Sequence, residues 1–265
     1  MLAAWLLLLG PPRSDPAAVA VAEPNPSALG ALERLVPTGG RAVEMVLVPA
    51  GVFVMGSDAA DADPDEHPAT QIQVGAFWID RVEVTNSRYA RCVEAGGCSL
   101  PAGPAFTQDA LAEHPVSIVS WAQARAYCSW VGKRLPTEAE WEKAARGVDG
   151  RPYPWGFSFD PERLNAGYSF GTEAVDSRLD GASPFGVLGM AGNVWEWTAS
   201  LYRPYPYDPS DGREDPGARG ARVNRGGSWY YGSKFARTTQ RATADHMYRR
   251  IGDLGFRCAS SSAPR

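Results

Sequence analysis

With 265 residues the chain can bury a core of its own without metals or staples, and one large irregular domain suits that length. A net charge of -4 leaves no basic footprint for nucleic acid or for an anionic membrane surface. Nine tryptophans among 28 glycines and 22 prolines argue against a helical bundle and for a loop-rich fold pinned by aromatic anchors.

Residues 1–22 open with MLAAWLLLLG, an apolar run too short to cross a bilayer and about the length of a signal-peptide core. Ala18-Val19-Ala20 and Ala20-Val21-Ala22 both offer small-residue cleavage sites. A signal peptide is therefore expected, with a secreted or periplasmic product and no stable membrane span after cleavage. No basic residue precedes the run, which keeps an uncleaved anchor or a mis-assigned start as the alternative. Residues 23–40, punctuated by Pro and Gly, read as a linker into a domain over 41–262.

Met45 to Met55 contains two short apolar strands around Pro49-Ala50-Gly51, the pattern of a hairpin. Asp58 to His67 is an acidic loop whose spacing does not match an EF-hand, so a solvated surface loop is expected. Gln71 to Val84 alternates like a strand pair. Thr85 then caps a helix from Asn86 to about Ala95, closed by Gly96-Gly97. Ser120 caps a second helix, Trp121 to Val131, with Trp121, Ala124, Cys128 and Val131 on one face. Thr137 and Glu140 form a capping box for a third, ending at Arg146-Gly147. Its carboxylates Glu138, Glu140 and Glu142 could suggest acid/base work, but a cap and an exposed helix face explain them better.

Four cysteines suit an oxidising compartment. Cys92 and Cys98 bracket a segment that can turn back on itself, Cys128 lies in the second helix, and Cys258 lies in a terminal strand. Two disulfides are expected, Cys92 with Cys98 and Cys128 with Cys258, against the alternative of four buried thiols. From Gly147 to Val187 periodicity fades, leaving Tyr153, Trp155, Tyr168 and Phe185 as anchors. Glu196 stands between Trp195 and Trp197, where a carboxylate must be paired or metal-bound. Residues 203–220 form a polar loop before Arg225-Gly226-Gly227-Ser228-Trp229.

Read together, VPAGVFVMGS, FWIDRVEVTNSRYARCVEAGGC, HPVSIVSW, AYCSWVGKRLPTEAEWEKAARG, PWG, GNVWEWT, RGGSW and GFRC resemble the formylglycine-generating enzyme, or sulfatase-modifying factor, family from about residue 42 to 260. The resemblance implies an irregular α+β domain of C-type-lectin-like fold with little regular secondary structure. It also implies that Cys128 and Cys258 are the family's structural disulfide. Active members hold Cu(I) on two cysteines after the Gly-Gly-Ser, soft ligands suited to that ion. The corresponding positions are Tyr231 and Ala236, so neither Cu(I) at the family site nor formylglycine generation is expected. Calcium is implied by Gly192, Val194 and Glu196, with Gly189 replacing a side-chain ligand, and more weakly at a second site by Asn165 and Ala166. Some relatives are non-haem iron enzymes, but His67, His114 and His246 show no iron-binding spacing.

The reading that follows is an exported non-catalytic binding or accessory domain. Its cleft would take a peptide or protein ligand on Ser228, Trp229, Tyr230, Tyr231, Phe235 and Arg241, residue types that anchor interfaces. The alternative is a metal-dependent oxidoreductase of the same family, of the non-haem iron type. A regulatory domain of the kind that relatives fuse to kinases or proteases is a third.

Overall fold

The computed structural model describes residues 33–35, 43–103, 106, 108–243 and 252–263. The signal-peptide reading of 1–22, most of the stretch read as a linker, and His246 lie outside them. In chain order the elements are β1 (Glu33–Leu35), β2 (Val43–Val48), β3 (Gly51–Met55), β4 (Thr70–Val74), β5 (Phe77–Asp80), α1 (Asn86–Glu94), α2 (Trp121–Trp130), α3 (Glu138–Arg146), β6 (Trp195–Leu201), β7 (Arg222–Arg225), β8 (Arg241–Thr243), β9 (Leu254–Gly255) and β10 (Ala259–Ser260). β1 falls inside the stretch read as a linker and pairs antiparallel with β2.

The strands form sheets ordered β1-β2-β5-β10, β3-β4 and β8-β7-β6-β9. The end of the chain supplies an edge strand to each four-stranded sheet: β9 runs parallel to β6, and β10 antiparallel to β5. The helix starts follow the sequence signals. Thr85, Ser120 and Thr137 accept hydrogen bonds from the amides of Arg88, Gln123 and Glu140, and the last two complete capping boxes. Both expected disulfides are present, Cys92–Cys98 and Cys128–Cys258.

The first expected hairpin does not form. β2 pairs with β5, whereas β3 pairs with β4, so Pro49 to Gly51 is a corner between two sheets. The buried Lys143 ammonium holds that corner by donating to the carbonyls of Pro49 and Gly51 at 2.7 and 3.0 Å. For the same reason β4 and β5 are both strands but do not pair with each other.

Two expectations about acidic residues are also corrected. Glu138 and Glu142 do not lie on an exposed face, because every residue of α3 is buried. Arg225 donates to Glu138 at 2.7 Å and to Glu142 at 2.8 Å, Arg241 donates to Glu138 at 2.6 Å, and Arg146 donates to Glu142 at 3.0 Å. Burial opposes the ionisation of Glu138, yet Arg225 and Arg241 outweigh it and hold the carboxyl below its usual range. The acidic loop is likewise not simply solvated. Glu66 is fully buried beneath Arg237, which donates to it at 2.7 Å, while Lys234 meets Asp63 at 2.6 Å. Tyr168, expected as an anchor, is exposed, whereas Tyr153 stacks on Trp155 at 5.5 Å.

Arg225→Met removes a guanidinium that serves two buried carboxylates at once. It is expected to destabilise the fold by about 3–5 kcal/mol, the range for breaking a buried ion pair, as measured by urea unfolding.

Candidate functional site

The site is built on the turn between β7 and β8. Gly226 and Gly227 both have positive φ, and a Cβ on Gly227 would stand 2.5 Å from the Phe235 carbonyl oxygen. Only glycine lets the backbone double back so closely. The turn is then fastened by its neighbours. The Trp229 amide donates to Asn193 O, and the Ser169 and Gly167 amides donate to the carbonyls of Trp229 and Tyr231. Asn193 is itself left-handed, and its side chain accepts from the Glu173 amide at 2.9 Å and donates to Glu83 at 3.0 Å.

Of the six residues expected to line one cleft, Tyr231, Phe235 and Trp229 line cavities, and these are two separate cavities. Tyr231 and Phe235 pack at 4.9 Å and both meet the edge of Trp195, lining with Leu254 and Ala242 a cavity of about 40 Å³. Trp229 lines a larger cavity of about 350 Å³ with Asn86, Pro115, Ile118, Phe170 and Thr172. Tyr230 is exposed and meets Trp229 and Tyr168 edge-on at 5.6 and 5.3 Å.

The other two are corrected. Ser228 is buried and donates to Asp253 Oδ2 at 2.9 Å, supporting the turn from beneath. Arg241 is buried too, bound to Glu138 and stacked on Tyr202 and Tyr205, so it is part of the core ion network and does not line the cleft.

Tyr231 and Ala236, the positions matched to copper ligands, belong to different hydrophobic clusters. Tyr231 packs with the Trp195 group, and Ala236 packs with Leu164 and Ala191. All four cysteines of the chain are paired in disulfides. A phenol and a methyl group in separate clusters do not fit a two-thiolate Cu(I) site.

At Glu196, the residue matched to a calcium ligand, the carboxylate is engaged by protein donors. Arg257 donates to both carboxylate oxygens at 2.6 and 2.7 Å, and Trp141 Nε1 adds a third bond at 2.9 Å. The carboxylate is thus neutralised by a fixed cation and accepts a third bond from a neutral indole. Around Asn165, the side-chain oxygen accepts from Ser169 and the amide donates to Gly171 O at 2.9 Å, while Glu173 is held by Arg178 at 2.6 and 2.8 Å. Among the described residues no group of three or more His, Cys, Asp or Glu side chains is placed to hold a metal ion. His114 contacts Thr172 at 3.0 Å, and His67 lies 3.7 Å from Asp58.

Two buried acids carry no distinctive sequence motif. Asp253 is pushed up to about 6 by burial, partly offset by the Ser228 hydroxyl. Glu83 is pushed up to about 7 by burial, with Arg257 opposing and Glu196 adding to the shift. One Glu83 oxygen is buried without a hydrogen-bond partner among the described residues. Glu83 reads in sequence as one polar residue in an alternating strand. The only signal for Asp253 was its place just before Leu254 to Cys258.

The profile of the sulfatase-modifying factor enzyme 1-like domain matches residues 33–262. The chain belongs to that family. It is 36% identical over 284 residues to the inactive C-alpha-formylglycine-generating enzyme 2 of Mus musculus, covering 82% of this chain and 86% of that protein. It is 30% identical over 301 residues to the formylglycine-generating enzyme of Bos taurus, covering 85% and 78%. Among solved structures, PvdO from Pseudomonas aeruginosa superposes with a TM-score of 0.70 at 30% identity, over 83% of this chain and 94% of that one. The fold is the irregular, C-type-lectin-like α+β arrangement that the motifs implied.

Because arginines already neutralise Glu196 and Glu173, the melting midpoint of this family member is expected to be the same with and without EDTA. A lower midpoint in EDTA would reinstate calcium. A carboxyl whose folded pKa is raised contributes stability below its unfolded pKa and loses it as pH rises through the folded value. For Asp253 this decline runs from about pH 4 to pH 6–7 and amounts to about 3 kcal/mol. In denaturant titrations across that range, Asp253→Asn is expected to show a flatter stability profile than the unsubstituted protein.

Proposed function

We propose that this chain is an exported, non-catalytic member of its family that binds a peptide or protein ligand on the aromatic surface around Trp229. The observation that carries the reading is the fate of the copper position. Tyr231 packs against Trp195 and Phe235, and the cavity beside them measures only about 40 Å³, against about 350 Å³ for the one beside Trp229. What remains open is the neighbouring surface. Phe170 is fully exposed, Tyr168 is 68% exposed and Tyr230 is 40% exposed, and they flank the cavity of about 350 Å³ beside Trp229. Exposed aromatic side chains grouped in this way are the usual anchors of protein interfaces. Kinship with relatives named as inactive enzymes supports loss of the copper chemistry.

Two disulfides support export, since such bonds persist in oxidising compartments. Among the described residues no helix is long and apolar enough to cross a membrane.

The purified protein, reconstituted with Cu(I) and offered a cysteine-containing sulfatase peptide under air, is expected to consume no oxygen and form no aldehyde. Turnover to formylglycine, read by mass spectrometry of the peptide, would overturn the assignment.

A further inference from the structure

A separate cavity of about 300 Å³ opens beside α2 and shares no lining residue with the cleft around Trp229. Its size is at the lower end of small-molecule sites. One wall is a stripe of α2, in which Trp121, Arg125 and Ser129 recur every fourth residue and so share a face. Leu135 and Thr137 come from the connection to α3, Ala199 from β6, and Glu214 and Pro216 from the loop before β7.

The lining holds two opposite charges. Arg125 is exposed, lies 5.5 Å from the Trp121 ring centre, donates weakly to Pro216 O at 3.4 Å, and pairs with no carboxylate among the described residues. Glu214 is held in place by the hydroxyls of Ser200 and Tyr207, each at 2.6 Å. These two groups line the same cavity without pairing with each other. The third charge, Arg134, is already neutralised by a two-point contact with Glu140 at 2.6 and 2.7 Å. Apolar surface from Trp121, Leu135, Ala199 and Pro216 completes the wall. The indole is fixed, since its Nε1 donates to Thr198 O at 2.8 Å and the buried Arg222 guanidinium lies 4.2 Å from its ring centre.

We propose that this cavity binds a small zwitterion with an apolar body, an amino acid or a dipeptide. Its carboxylate would meet Arg125 and Ser129, its ammonium would meet Glu214, and its side chain would lie on Trp121 and Leu135. An anion alone would face Glu214 unpaired, and a cation alone would face Arg125. The half-buried Glu214 would be left unpaired by an anion, and an unpaired charge of that kind discriminates between such ligands.

Calorimetric titration of the full protein with leucine and with dileucine tests this, each beside its N-acetylated and its C-amidated form. At least one zwitterion is expected to bind, with each blocked analogue weaker by about tenfold or more. Arg125→Ala, a change at an exposed side chain, should remove the preference for a free carboxylate. Glu214→Gln, which can still accept from Ser200 and Tyr207, should remove the preference for a free amine. The stronger of leucine and dileucine identifies the ligand length. Absence of heat with both up to about 10 mM, or equal affinity for the blocked forms, would overturn the proposal.

Discussion

The structure depends on a buried ion network around α3. Arg225 at the end of β7 reaches Glu138 and Glu142 on successive turns of the helix, and Arg241 on β8 returns to Glu138. Charges this deep are costly to desolvate and are tolerated only when their hydrogen bonds are met almost completely. That requirement fixes α3 against the sheet containing β7 and β8. It also brings together parts of the chain as distant as Glu138 and Arg241. In a protein with short strands and much irregular backbone, such fixed polar contacts supply directionality that apolar burial does not.

A second network closes the molecule. Arg257 binds Glu196 at both oxygens, takes the carbonyl of Leu188 at 2.8 Å, and sits one residue before the cysteine bonded to Cys128. The terminal segment thereby joins α2, β5 and β6. Above it the Gly226-Gly227 turn rests on Ser228 and Asp253. The turn after Gly226-Gly227 is thus firmly held, and the side chains at 231 and 236 beyond it are a tyrosine and an alanine. The side chains at 231 and 236 can vary without loss of the fold because the turn is held by backbone bonds and by Ser228.

Local signals were the legible part. Caps at Thr85, Ser120 and Thr137, the terminating Gly147 and the disulfide between Cys92 and Cys98 depend on neighbours within a few residues, so sequence order nearly determines them. The reading failed where the partner was distant. The capping box marks Glu140, but nothing local marks Glu138 and Glu142 as buried, because their partner Arg225 lies more than eighty positions away. Arg241 was assigned to the cleft on its residue type, and Glu66 and Asp63 were assigned to solvent on theirs. Each is claimed by a charge that arrives from another part of the chain.

By itself the sequence determined the family, the helix boundaries, the Cys92–Cys98 disulfide and the tyrosine and alanine at positions 231 and 236, because these follow from residue identity and short spacing. Only the tertiary structure decided which strands pair, which acids are buried, that Glu196 is held by Arg257, and that Arg125 and Glu214 line one cavity unpaired. Those outcomes depend on the desolvation of charges, and its size is set by neighbours that meet only when the chain has folded.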